Sequence, residues 1–129
     1  MDHGPDGRRR CTEETHTKLC VTAARRALAQ AGITPADIGA CIVATVSADT
    51  IVPSAACMLQ RELGMPEDTP CFDLNAACTG FIYALHTMEC LLNASARPFG
   101  LVVGCEVLSR FTDFTDRSTC VLFGDGAGA

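Results

Sequence analysis

The sequence predicts an α/β fold built on a mainly parallel sheet, and three observations predict it. Segments whose apolar residues recur every three to four positions alternate with short, continuous apolar runs. The links between them are short and carry Gly or Pro at their ends. The apolar runs lack the every-second-residue polarity of a strand with one wet face, so they suit strands covered on both sides.

Residues 1–14, with Gly4, Pro5, Gly7 and Arg8–Arg10, read as a disordered or frayed leader, and 15–129 as the folded part. From Thr15 to Ala31 the spacing of Cys20, Ala24, Ala27, Leu28 and Ala31 predicts a helix, stopped by Gly32 in a left-handed turn. Thr34-Pro35 predicts a short capped turn, and Ala40–Ser47 a buried strand. Pro53 is placed for the first turn of a second helix, which Gly64 ends before Met65-Pro66. Cys71–Leu74 predicts a short strand, and a third helix runs from near Cys78 towards Asn93. That helix is apolar on most sides, so a central position is expected. Gly100–Gly104 predicts another buried strand and Ser118–Phe123 a last one, before a glycine-rich loop closes the sequence.

Composition narrows the class. The 129 residues make one domain at most, with 48% hydrophobic and 19% charged residues, enough apolar side chain for a core and too little charge for disorder. With no Trp, that interior must come mainly from Ala, Val, Leu, Ile and Cys. The uncharged stretch around 38–48 is too short to span a bilayer, and no basic-then-apolar signal opens the chain, so a soluble cytoplasmic domain is expected. A net charge of −5 argues against a nucleic-acid footprint. The pattern begins on a helix and ends on a glycine-rich loop, the layout expected for a piece of a larger protein.

Nine cysteines stand out. An odd count without a secretory signal argues against a disulfide framework. No pair is spaced Cys-x-x-Cys and no His lies at finger spacing from a Cys pair, so no metal site is expected. Cys41, Cys57, Cys90 and Cys120, set among apolar neighbours, read as buried filler.

Cys78 is different. It lies in Asn75-Ala76-Ala77-Cys78-Thr79-Gly80-Phe81, after a predicted strand and at the start of a predicted helix. Helix-start N–H groups and the positive end of the dipole favour a thiolate and can receive an oxyanion. Small flanking residues allow a carbonyl substrate to approach, as covalent acyl transfer requires. The same residues would equally suit a buried cysteine at the start of a tightly packed helix, with Gly80 present for close packing. His86, eight residues further and roughly 12 Å along the helix axis, reads as a packed or hydrogen-bonded residue. His3 and His16 fall in or near the leader. Gly124, Gly126 and Gly128 lack the following helix and Lys-Ser/Thr of a phosphate loop.

The segment Phe72–Phe81 resembles the active-site segment of β-ketoacyl-acyl-carrier-protein synthase III, a thiolase-fold condensing enzyme. Pro53-Ser54-Ala55-Ala56-Cys57, Thr115-Asp116-Arg117-Ser118-Thr119 and Phe123–Ala129 resemble other segments of that family, in order. The resemblance implies an incomplete, N-terminal half of a thiolase-like fold. It implies that Cys78 is the acyl-accepting nucleophile and that Arg117 contacts the nucleotide end of coenzyme A. Residue types alone favour the other reading, a solvated loop arginine paired with Asp113 or Asp116.

By the same resemblance, Cys78 takes an acyl group from acyl-CoA. Malonyl-acyl carrier protein then loses carbon dioxide and condenses with it, giving a 3-ketoacyl carrier protein. The partners implied are acyl carrier protein, a coenzyme A thioester and a second copy in a homodimer, with no nucleic acid, membrane, metal or redox cofactor. A His and an Asn that complete the family's site lie beyond this sequence, and the family's first strand and adenine-bracketing aromatic segment have no counterpart before Gly7. Val52 stands where relatives often place a bulky aromatic lining the partner's acyl pocket, which implies a roomier pocket. Two other readings stay open: an inert truncated or association module, and a polyketide-type or hydroxymethylglutaryl-CoA-type enzyme on the same fold.

Overall fold

The computed structural model describes residues 2–3, 9–10 and 14–129. Within the expected leader, β1 (Asp2–His3) pairs antiparallel with β2 (Arg9–Arg10). The Arg10 guanidinium lies 3.3 Å from the Phe114 ring centroid, which ties β2 to the far end of the chain. The rest of residues 1–13 lies outside the described residues.

Helix α1 (His16–Ala31) starts where Thr15 accepts a hydrogen bond from the Lys18 N–H at 3.2 Å, and ends at Gly32 with φ of 68°. Asp49, from a distant loop, accepts from the N–H groups of His16 and Thr17 at 3.2 and 2.9 Å and meets Arg110 at 2.7 Å. Burial pushes the Asp49 carboxyl up, but the Thr17 and His16 donors and Arg110 outweigh it and hold the group at about 2. Thr34 and Asp37 cap the short 3₁₀ turn Pro35–Asp37, as the sequence predicts.

β3 (Ile38–Ala44) is buried at all seven positions, the pattern of a central parallel strand. It starts two residues earlier and ends three earlier than its sequence reading. α2 (Ala55–Leu63) is a correction too: Pro53 lies outside it, and Ser54 caps it by accepting from the Cys57 N–H at 3.2 Å. Asp73, on β4 (Cys71–Leu74), accepts from the N–H groups of Ala55 and Ala56 at 2.8 Å each, locking α2 to the sheet. Gly64, with φ of 69°, ends the helix.

α3 (Gly80–Leu92) is preceded by a 3₁₀ turn over Ala77–Thr79, and β5 (Phe99–Glu106) follows. β6 (Gly126–Gly128) corrects the reading of the chain's end. The glycine-rich string is the strand, pairing antiparallel with β5, while residues 117–122 wind through turns. The turns have a local cause. Asp113 and Asp116 draw the N–H and hydroxyl groups of Thr115 and Ser118 onto their carboxylates, which competes with any strand ladder.

The sheet order is β4-β3-β5-β6, parallel except at β6. α1 and α2 cover one face, with Leu19, Ala24, Leu28, Ala56 and Leu59 packed on Ile38, Cys41, Val43, Leu101 and Val103. α3 covers the other through Ala84 and Met88 on Ala40, Ile42 and Val102. Gly100 and Gly104 let α3 sit close. A Cβ on Gly100 would fall 2.2 Å from Met88 Sδ, and one on Gly104 3.2 Å from Phe81 Cδ2.

α3 is only partly central. Phe81, Ile82, Tyr83 and Leu85 are exposed, Ile82 to 63%, so its outward face is apolar and uncovered by the described residues. His86 and Cys90 are exposed on it, against the expectation of packed residues. Cys41 and Cys120 are buried as expected, and Cys57 is half-buried. Among the described residues, no helix is long and apolar enough to cross a membrane.

Candidate active site around Cys78

Cys78 is exposed in the 3₁₀ turn that leads into α3, one residue after Ala77, whose φ is +46°. That left-handed backbone costs a non-glycine residue about 1–2 kcal/mol. It turns the chain sharply between β4 and α3 and leaves Cys78 at the helix N-terminus. Thr79 closes the turn, its N–H and hydroxyl donating to the Ala76 carbonyl at 3.2 and 2.8 Å.

Cys78 opens on a cavity of about 600 Å³, walled by Val46, Leu108, Phe111 and Phe123, with Glu106, Thr112, Asp113 and Thr119 at polar points. Its lining is mostly apolar with a few polar groups, the usual make-up of a small-molecule site. Glu106, which sequence reading does not single out, is fixed by the Val46 N–H at 2.9 Å and the Thr45 hydroxyl at 3.2 Å, and by the Ser47 hydroxyl. Its only sequence signal is an acidic residue at the end of an apolar strand. Asp125 accepts from the Ser109 N–H and hydroxyl at 2.9 and 2.6 Å, pinning the start of β6 beside the end of β5.

Arg117 is exposed on the loop that supplies Asp113 and Thr119 to the cavity wall. The two candidate partners are engaged elsewhere: Asp113 with Thr115, Asp116 with Ser118 and Thr119. Hydrogen bonds from Ser118 and Thr119 hold the Asp116 carboxyl at about 2, and the Thr115 hydroxyl and N–H lower Asp113. Among the described residues, neither aspartate forms an ion pair with Arg117.

Val52 is 85% exposed, beside Ile51, before the cis bond to Pro53. It does not line the Cys78 cavity. His16 lies just past the expected leader, in the helix the sequence predicts. It is the first residue of α1, wholly buried, with Nε2 2.8 Å from the Thr45 hydroxyl and 3.1 Å from the Cys105 carbonyl. The neighbouring Cys20 and burial push the Cys105 thiol up, so it stays protonated at neutral pH.

Residues 72–129 match the sequence profile described as 3-oxoacyl-[acyl-carrier-protein (ACP)] synthase III. The chain matches the synthase III family. It is 48% identical over 113 residues to the Coxiella burnetii beta-ketoacyl-[acyl-carrier-protein] synthase III, spanning 88% of this chain and 35% of that protein. The crystal structure of 3-oxoacyl-[acyl-carrier-protein] synthase III from Aquifex aeolicus superposes with a TM-score of 0.87 at 42% identity, over 93% of this chain and 39% of that one. The priming β-ketosynthase of the R1128 polyketide pathway gives 0.80 at 36% identity, over 91% and 35%. The fold is therefore the thiolase-like α/β fold that the sequence motifs imply. The chain spans little more than a third of the length of the curated relatives it matches.

Proposed function

We propose that this chain carries the nucleophile-bearing part of a decarboxylating condensing enzyme of fatty-acid synthesis acting in the cytoplasm. The observation that carries the reading is an exposed Cys78 at the N-terminus of α3, raised by left-handed Ala77 into a largely apolar cavity. The Cys78 thiolate attacks the carbonyl of an acyl-CoA, the carbon–sulfur bond to coenzyme A breaks, and CoA leaves as its thiolate. The N–H of Cys78 donates to the oxyanion that forms, and Arg117 receives the nucleotide end of coenzyme A. Malonyl-acyl carrier protein loses carbon dioxide. Its enolate attacks the acyl-enzyme carbonyl, and the Cys78 thiolate departs as the 3-ketoacyl carrier protein forms. The step needs no resident cofactor. A His and an Asn stabilising the enolate belong to the full-length enzyme, which works as a homodimer with Val52 reaching towards the partner's acyl pocket.

The test is incubation with isobutyryl-CoA followed by peptide mass spectrometry. One acyl group on the Cys78 peptide, absent after Cys78→Ser, is expected; acylation elsewhere, or none in an enzyme of the relatives' length, refutes the assignment. A second reading, an inert association module, is favoured by the uncovered apolar face of α3. It predicts no turnover of malonyl-acyl carrier protein by the 129-residue chain alone, and measured turnover would exclude it.

A further inference from the structure

Away from the Cys78 cavity, two thiols from neighbouring strands meet on one face of the sheet. Cys41 on β3 and Cys71 on β4 are register partners in the parallel pair. Both side chains pack into the cluster beneath α1 and α2, so they project from the same face. Adjacent strands lie about 4.8 Å apart, and a disulfide joins residues whose Cα atoms are about 4.4–6.8 Å apart. The two strands therefore already stand at bridging distance, and the two thiols share a hydrogen bond.

Their surroundings give the two thiols different parts. Cys41 is wholly buried, and its S–H donates to the Cys71 sulfur; that bond and burial keep it protonated. Cys71 is half-buried, and the hydrogen bond it receives from Cys41 favours its thiolate against the opposing pull of burial. Cys57, at the start of α2, is also half-buried, but its S–H is engaged by the Cys71 carbonyl at 3.6 Å. A thiolate within reach of solvent, beside a protonated thiol, is the pairing of an attacking and a resolving cysteine. The other thiols lack it: Cys20 and Cys105 are both sealed from solvent, while the exposed Cys78 and Cys90 lie about 18 Å apart along α3.

We propose that Cys41 and Cys71 form a reversible dithiol–disulfide site that is oxidised by a small peroxide. The Cys71 thiolate attacks one peroxide oxygen and the O–O bond breaks. The departing hydroxide takes up the proton that Cys71 had released and leaves as water, and Cys71 becomes a sulfenic acid. The Cys41 sulfur then attacks the Cys71 sulfur. The S–S bond forms, the S–O bond breaks, and a second water leaves with the Cys41 proton. Two electrons pass from the two sulfurs to the peroxide. A small dithiol returns them by thiol–disulfide exchange, entering at the half-buried Cys71. Because β4 leads directly into the turn that carries Cys78, the bridge fastens the base of that turn to the central strand. The site stands whether or not Cys78 performs acyl transfer.

The test treats the folded 129-residue chain with hydrogen peroxide, blocks the remaining thiols with N-ethylmaleimide under denaturing conditions, and cuts before each aspartate. Peptide 37–48 then carries only Cys41, 49–67 only Cys57 and 68–72 only Cys71, while 73–112 carries Cys78, Cys90 and Cys105. Peptides 37–48 and 68–72 should lose their maleimide label together and appear as one linked species, which dithiothreitol abolishes. Cys41→Ser should stop the reaction at a Cys71 sulfenic acid, captured by dimedone on 68–72. Cys71→Ser should slow oxidation of Cys41 by about tenfold or more. A bridge from Cys71 to Cys57, a sulfenic acid on Cys41 in Cys71→Ser, or full labelling of both peptides once Cys78 is oxidised overturns the proposal. If either variant does not fold, the linkage in the parent chain decides it alone.

Discussion

Replacing Gly100 by Ala tests how α3 is held on the sheet. The new Cβ would fall 2.2 Å from Met88 Sδ and 2.5 Å from its Cγ, distances that force the methionine to move. Met88 is 5% exposed, so it has little free space, though its flexible chain yields more readily than a branched one. Overpacking of this kind costs about 1–3 kcal/mol, and Ala regains about 0.5–1 kcal/mol over Gly in a strand interior. Gly100→Ala should therefore destabilise by about 1–2 kcal/mol. Met88→Ala alone should cost about 2–5 kcal/mol through the cavity it leaves. Once Met88 is truncated the clash is gone, so adding Gly100→Ala should be neutral or stabilising by up to about 1 kcal/mol. The two changes should thus couple by about 2 kcal/mol in a double-mutant cycle measured by urea unfolding at constant m. An equal cost of Gly100→Ala in both backgrounds would show that Met88 is not what the glycine accommodates.

Three other outcomes follow from the geometry. In a thiol-labelling time course, Cys78 and Cys90 should react at once and Cys20, Cys41, Cys105 and Cys120 only on unfolding; fast labelling of the second set would contradict their burial. The Asp116 carboxyl should titrate at about 2 by carbon-detected NMR, held down by the Ser118 and Thr119 hydroxyls, and Ser118→Ala should move its midpoint up. Because the folded value lies below the unfolded one of about 4, Asp116 contributes stability above that pH and loses it as pH falls towards 2. A midpoint near 4 in the parent chain would refute the hydrogen-bonded loop. In an enzyme of the relatives' length, Val52→Phe should narrow primer use towards acetyl-CoA by about tenfold in kcat/KM relative to isobutyryl-CoA, or about 1.4 kcal/mol; an unchanged ratio would remove Val52 from the acyl pocket.

The elements most legible in the sequence are those whose side chains report their surroundings locally. Ile38–Ala44 is apolar throughout because both its faces are covered, and Gly32 and Gly64 mark helix ends because each adopts a positive φ. β6 escaped because Gly126–Gly128 has almost no side chain to pattern. What makes it a strand is the free edge of β5, and that cannot be read from three residues. Ser118–Phe123 looks like a strand by composition, yet Asp113 and Asp116 before it wind the chain into turns. The place of Cys78 between a strand and a helix was legible from its neighbours. His16 was not, since its burial depends on Thr45 and Cys105, 29 and 89 residues away.

The strain at Ala77 and the close seat of α3 belong to one device. A left-handed alanine does not hold itself; the surrounding packing must impose it. Here β4 is fixed from one side by its ladder with β3 and by Asp73 on the first N–H groups of α2. α3 is fixed from the other by Gly100 and Gly104, which let Met88 and Phe81 settle onto β5. Between two such anchors the residues from Asn75 to Thr79 have little choice of path, and the turn places Cys78 at the cavity mouth. Lifting α3 should therefore loosen Ala77 as well, with no change near the thiol itself. Gly100→Ala would then alter the alkylation rate of Cys78 while Cys90, further along the same helix, keeps its own; equal changes at both would mean that the helix had simply unfolded.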